Sequence, residues 1–187
     1  MVIDHAINIP VTSRDRLFTI DEYLTTAQAD DMLIYVHENL NRSFDRSMCD
    51  VNTGLKGDSG KYHSFLVCEE ICPHLWNDMF KHRVINDIPL DSVMVNIYKR
   101  GDFIPPHKDK QASLYTVTVP LQTSQDMLVF NENVDEFYQG DPRQGTQCRD
   151  VKGRGYGFYG NAPVHWVPEV TSDTRVTLIC LYGPMTY

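Results

Sequence analysis

The chain has 187 residues, 42% hydrophobic and 22% charged, which suits one globular domain able to cover its own core without disulfides or a structural metal. A formal net charge of −8 excludes a general positive field that would draw it onto phosphate backbones or anionic lipid, so any nucleic-acid contact must be local. Five cysteines without a CxxC pair argue against a disulfide scaffold or zinc ribbon and for a reducing compartment. The opening MVIDHAINIPVTSRDR has no basic start followed by an apolar run, and no stretch reaches the ~18 apolar residues of a membrane span. A cytoplasmic protein without membrane contact is expected. No repeat or low-complexity tract interrupts it, so residues 1–187 read as one domain.

Over 25–40, Ala29, Met32, Leu33, Val36 and Leu40 recur at helical spacing, and Thr25 with Gln28 forms the S/T-x-x-Q pattern of a capping box. Residues 41–61 are polar, contain glycine and lack a period, which predicts a long surface loop. A second helix is expected over 73–83, with Pro73 in its first turn and Leu75, Trp76, Met79 and Phe80 on one face. After Pro89 the pattern alternates: Val93, Val95 and Ile97 share one face of a strand, and Met94, Asn96 and Tyr98 the other. Further strands are predicted over 114–120, 127–131, 155–160, 164–167 and 175–182. Helices followed by six or more short strands predict a mainly β, α+β fold: a curved antiparallel sandwich or jelly roll buttressed by helices.

Of the seven histidines, His5, His37, His63, His74 and His82 have ordinary surface or core explanations. His107 differs because of its surroundings. In His107-Lys108-Asp109, after Pro105-Pro106, an imidazole and a carboxylate two residues apart can point the same way from extended chain. A third ligand could come from His165 on the strand over 164–167. Two histidines and one carboxylate make the facial triad associated with non-haem Fe(II), with positions left for substrates. A 2-oxo acid bound to such a centre needs a cation for its far carboxylate, and Arg175 heads a strand on which Thr177 shares its face. Asn96 and Tyr98 can add an amide and a phenol. The competing explanation for Arg175 is a surface arginine paired with Asp173 or Glu169.

These residues together resemble the Fe(II)/2-oxoglutarate-dependent dioxygenases. Asn96-Ile97-Tyr98-Lys99-Arg100-Gly101, five residues and then His107-Lys108-Asp109 is similar to the N-x-Y-x-x-G-x5-H-x-D segment of the AlkB branch. His165 followed by Arg175 and Thr177 is similar to the distal histidine and R-x-S ending of the plant and antibiotic-biosynthesis oxygenases. Phe18-Thr19-Ile20-Asp21-Glu22-Tyr23-Leu24, leading into the first helix, is similar to the prolyl-hydroxylase-like branch. The resemblance implies a double-stranded β-helix with a core at about 93–182 and N-terminal helical support at about 18–85. It also implies Fe(II), 2-oxoglutarate and O2 as cofactor and co-substrates. It assigns His107, Asp109 and His165 to catalysis as iron ligands, Arg175 to the distal carboxylate of 2-oxoglutarate, and Asn96, Tyr98 and Thr177 to the same co-substrate.

Halogenating relatives replace the carboxylate with a small residue, so Asp109 favours hydroxylation, or a demethylation that begins with hydroxylation. The second arginine of AlkB-type enzymes is Leu181 here, which points away from repair of alkylated bases. A small molecule, amino acid, peptide or protein side chain is the favoured substrate. Lys99, Arg100, Lys108 and Lys110, with Tyr156, Phe158, Tyr159 and Trp166, make a nucleic-acid base the alternative, although strand core explains those aromatics better. A second alternative is a non-catalytic metal-binding jelly roll, but a cupin would carry H-x-H rather than HKD. The stretches 41–61 and 133–152 are expected to rim the site as lids.

Overall fold

A computed structural model describes residues 7–9, 17–46, 60–109, 113–159 and 163–183. After β1 (Ile7–Ile9) and β2 (Leu17–Ile20), Thr25 starts α1 (Thr26–Glu38): its hydroxyl accepts from Gln28 N at 3.2 Å, and its own N–H donates to Gln28 Oε1 at 3.0 Å. The capping box forms as expected and satisfies two backbone donors that the helix start leaves open. Ala29, Met32 and Val36 are the buried stripe of α1. No helix among the described residues is long and apolar enough to cross a membrane.

The larger sheet has nine strands. Its centre is β6 (Ile88–Lys99), β13 (Thr174–Tyr182), β8 (Tyr115–Pro120) and β11 (Gly155–Tyr159), extended by β2 beyond β11. On the other side β6 pairs with β4 (His63–Val67), which carries β3 (Phe44–Asp45), and with β5 (Arg83–Ile85), to which β1 pairs in parallel. The smaller sheet runs β10 (Thr146–Arg149), β9 (Met127–Asn131), β12 (Val164–Val167) and β7 (Ile104–His107). This is the expected two-sheet β fold with a helix buttress. Alternation along each strand then makes three layers of core. Val93, Val95, Ile97, Val176, Leu178 and Cys180 turn towards α1; Tyr98, Leu128, Phe130 and Phe158 fill the space between the sheets; Val129, Val164 and Trp166 lie on the outer side of the smaller sheet.

Several boundaries differ from expectation. The second helix is one α turn, Pro73–Leu75 (α2), widening into a π-helical segment, Trp76–Phe80, and it ends before Arg83. Arg83, Val84 and Ile85 instead form β5, joined to β6 by Asn86 and Asp87. Both have positive φ (47° and 64°), the geometry of a tight two-residue hairpin. His82 accordingly lies in a turn, and β6 begins at Ile88 rather than after Pro89. The 41–61 stretch contains β3, and residues 47–59 lie outside the described set, so the lid expected there does too. Within 133–152 the strand β10 pairs with β9, leaving the irregular part shorter than expected. Cys68, Cys72, Cys148 and Cys180 are buried free thiols, while Cys49 and His5 fall outside the described residues.

Gly153 ties α1 to the sheet: its N–H donates to Pro120 O and its carbonyl accepts from Leu24 N, both at 2.9 Å. Its φ is +76°, and a Cβ there would stand 2.2 Å from the Leu24 carbonyl oxygen. Because backbone rather than a flexible side chain blocks the space, Gly153→Ala is expected to cost more than about 2 kcal/mol and lower the melting midpoint by about 5 °C. Thermal unfolding followed by circular dichroism measures this, and an unchanged midpoint would contradict the packing described.

Candidate metal centre

β7 is one of the two edge strands of the smaller sheet, the place where two consecutive prolines do least damage to a ladder. Its pairing with β12 sets His107 opposite His165, and Ile104 opposite Val167. Between these pairs β7 advances three residues and β12 two, so Pro105-Pro106 forms a bulge against Trp166. Without it, Ile104 and His107 would face opposite sides. With it, Ile104, His107, His165 and Val167 all line the space between the sheets.

The two imidazole rings are 4.3 Å apart between centroids, and Asp109 Oδ1 lies 3.6 Å from the Nε2 of each. One ligand atom from each of His107, Asp109 and His165 falls within 4.8 Å of the others, close enough for the three to hold one metal ion. Each Nδ1 faces a carbonyl: Pro105 O at 2.9 Å for His107 and Pro163 O at 3.1 Å for His165. A carbonyl can only accept, so both Nδ1 atoms carry hydrogen. The Nε2 lone pair that a metal requires is then directed at the common centre. Burial, and next the charge on His107, pushes the His165 imidazole down to about 4, so it is neutral at physiological pH and ready to ligate. Burial also depresses His107, but the Asp109 carboxylate beside it, with the Pro105 carbonyl and the Glu136 charge, more than offsets this and leaves it above the ordinary value. Burial works against the Asp109 charge, yet the His165 and His107 rings hold the carboxyl below its usual range.

A cavity of about 270 Å³ opens from this triad towards the larger sheet. Its far wall is the β6–β13 pairing, whose register places Arg175 opposite Tyr98 and Thr177 opposite Asn96. All four residues predicted for the co-substrate therefore line one cavity with the three predicted ligands. Asn96 Nδ2 donates to the Tyr98 hydroxyl at 3.3 Å. Asn96 Oδ1, Arg175 Nη1 and Thr177 Oγ1 are buried without a hydrogen-bond partner. Such atoms cost about 1–3 kcal/mol each when left unpaired. The guanidinium nitrogen and the hydroxyl can donate to a small ligand rich in oxygen, whereas Asn96 Oδ1 can only accept; the donor set on the opposite wall suits a divalent metal of the iron class.

Arg175 is neither a surface residue nor paired with Asp173 or Glu169. It is 2% exposed and donates through Nε and Nη2 to Asp150 at 2.7 and 2.8 Å, while Asp173 accepts from Arg100. Asp150 has no distinguishing mark in the sequence: it precedes a glycine-containing turn, and only the buried guanidinium reveals its role. Thr116 and Thr118 of β8 and Tyr62 beside β4 also line the cavity unforeseen, with Tyr62 stacked on Tyr98 at 5.4 Å. Tyr156, Phe158 and Trp166 are core, as strand burial predicted, while Tyr159 is 46% exposed. Lys110 lies outside the described residues.

No family model and no curated protein matches the sequence. Solved structures do match. The viral collagen prolyl hydroxylase of Paramecium bursaria Chlorella virus-1 superposes with a TM-score of 0.57 at 15% identity, over 91% of this chain and 97% of that one. A Trichoplax adhaerens prolyl hydroxylase, solved with a hypoxia-inducible-factor peptide fragment, gives 0.64 at 12% over 91% and 84%. The 2-oxoglutarate-dependent epimerase SnoN of nogalamycin biosynthesis gives 0.61 at 12% over 91% and 79%. The chain has the double-stranded β-helix fold of the Fe(II)/2-oxoglutarate oxygenases. Two of these three structures are prolyl hydroxylases, and at 12–15% identity the likeness is one of fold.

Replacing His107, Asp109 or His165 singly by alanine is expected to weaken Co(II) binding by more than the roughly 10–100-fold that loss of an outer partner costs. His37→Ala, on exposed α1 surface, should not change it. Isothermal titration calorimetry reads both, and a triad variant binding like the parent would remove that residue from the centre.

Proposed function

We propose that the protein is an Fe(II)- and 2-oxoglutarate-dependent oxygenase that hydroxylates a small molecule, an amino acid, or a side chain of a peptide or protein. The observation that carries this reading is the pair of buried, unpaired groups able to donate, Arg175 Nη1 and the Thr177 hydroxyl, on residues that line one cavity with the His107–Asp109–His165 triad. Iron with 2-oxoglutarate and O2 supplies the oxidant, one oxygen atom entering the substrate C–H bond and the other the succinate formed with release of CO2.

The protein's own groups have separable tasks. His107, Asp109 and His165 hold the ion. Arg175 and Thr177 take the distal carboxylate of the co-substrate with a charge-assisted hydrogen bond and a hydroxyl, while Asn96 and Tyr98 orient the chain between. Burial raises the Tyr98 phenol well above its ordinary value, so it remains a neutral hydrogen-bonding group. Leu128, Phe158 and Val167 exclude water around them.

The cavity volume lies just below the roughly 300–1,000 Å³ of typical small-molecule sites. That leaves room for a short keto acid and one slim substrate group, which favours a side chain over an extruded base. The Trichoplax enzyme holds a peptide, in line with a peptide or protein substrate here. At the mouth, Lys108 N donates to Glu136 Oε1 at 3.1 Å, and the adjoining Phe137 is 72% exposed. We assign the 133–145 segment to the substrate rim. A non-catalytic module could bind a metal and a keto acid with the same groups, and differs in forming no succinate.

Anaerobic addition of Fe(II) and 2-oxoglutarate should produce a weak visible charge-transfer band, and oxygen should then yield succinate. Arg175→Gln is expected to raise the KM for 2-oxoglutarate by roughly 10–100-fold, the value of a charged hydrogen bond, with little effect on iron affinity. No band and no succinate would refute the oxygenase; an unchanged KM would refute the assignment of Arg175 alone.

A further inference from the structure

We propose that Asp150 is a positioning residue: it fixes the plane of the Arg175 guanidinium so that the edge it leaves free faces the cavity. The inference rests on the oxygenase reading above and adds a residue outside the cavity wall. A guanidinium has five N–H bonds in a rigid fork. Asp150 occupies one edge, through Nε and one hydrogen of Nη2. The other edge, Nη1 with the second hydrogen of Nη2, can grip another carboxylate in the same plane, and Nη1 is the atom left buried and unpaired.

Asp150 is itself held fast. Its Oδ2 accepts from Ser124 Oγ at 3.1 Å, its backbone N–H donates to Asp126 O at 2.9 Å, and its carbonyl accepts from Ser124 N at 3.2 Å. Asp126 is anchored in turn by Thr171, whose N and Oγ1 both lie 2.8 Å from Oδ1. On its other side the guanidinium stands 5.1 Å over the Tyr98 ring. Between this braced carboxylate and the ring, the long arginine side chain has one orientation.

Asp150 could instead act only as a counter-ion, and the two roles predict opposite signs. If it merely neutralises a buried cation, removing its charge leaves Arg175 in need of an anion and tightens binding of 2-oxoglutarate. If it positions the fork, removal lets the fork turn and weakens that binding.

The test uses the full chain loaded with Mn(II), with Asp150→Asn and the milder Ser124→Ala, and calorimetric titration of 2-oxoglutarate and of pyruvate, a keto acid without the distal carboxylate. Asp150→Asn should weaken 2-oxoglutarate by about tenfold or more and Ser124→Ala by a few-fold, with pyruvate and Mn(II) affinities within about twofold of the parent. The Arg175 Nε–H resonance should shift in both variants. Tighter or unchanged 2-oxoglutarate binding overturns the proposal, as does an equal loss for both keto acids, which would mark general disruption. If Asp150→Asn does not melt cooperatively, the Ser124→Ala ratio decides. A parent protein that binds Mn(II) but not 2-oxoglutarate would defeat the oxygenase reading, and this inference with it.

Discussion

The registers of two antiparallel strand pairs set the geometry on which the site depends. In the smaller sheet, β7 against β12 puts His107 opposite His165; in the larger, β6 against β13 puts Tyr98 opposite Arg175 and Asn96 opposite Thr177. Because side chains alternate along a strand, a slip of one residue in either pair would turn its polar group out of the cavity. The register is held by what lies behind the polar residues: Val93, Val95 and Ile97 alternate with them and are locked against α1. Hydrophobic burial on one face thus fixes the chemistry on the other.

Much of this was legible because both periodicities are strong where they matter. The S/T-x-x-Q cap placed the start of α1 to within a residue, although the helix ends at Glu38 and Leu40 opens a separate 3-10 turn; alternation across Met94, Asn96 and Tyr98 gave the inner face of β6. The candidate ligands, which the structure brings within 4.8 Å of one another, could be named because HKD and His165 sit on short segments whose side-chain directions are restricted. What escaped notice was masked by local chemistry. Pro105-Pro106 hid β7, since prolines argue against a strand except at an edge, and edge position is a tertiary fact. In β10 only Cys148 is buried among exposed neighbours, so it shows no alternation of apolar residues. Helix propensity over residues 73–83 lost to the hairpin that Asn86 and Asp87 close. Asp150 escaped for a different reason: a carboxylate chosen to match one arginine has no pattern along the chain.

The two walls of the cavity prepare for their ligands by opposite means. On the triad side, each histidine finds its acceptor close by in the chain, the carbonyl of the proline two residues before it: Pro105 within β7 for His107, and Pro163 just ahead of β12 for His165. The ring orientation is therefore settled locally, and needs only the strand to form. On the Arg175 side the support is long-range, running through Asp150, Ser124, Asp126 and Thr171 from three separate connections. Buried charge explains the difference. A neutral imidazole needs one acceptor, whereas a guanidinium 2% exposed is tolerable only beside a carboxylate, and that carboxylate only inside a network that satisfies it. The larger sheet can hold such a cation because Arg175 lies near the start of β13, within reach of Asp150 and the residues that brace it. This costs the fold some of its apolar core and leaves Nη1 of Arg175 without a partner, on a residue that lines the same cavity as the candidate triad.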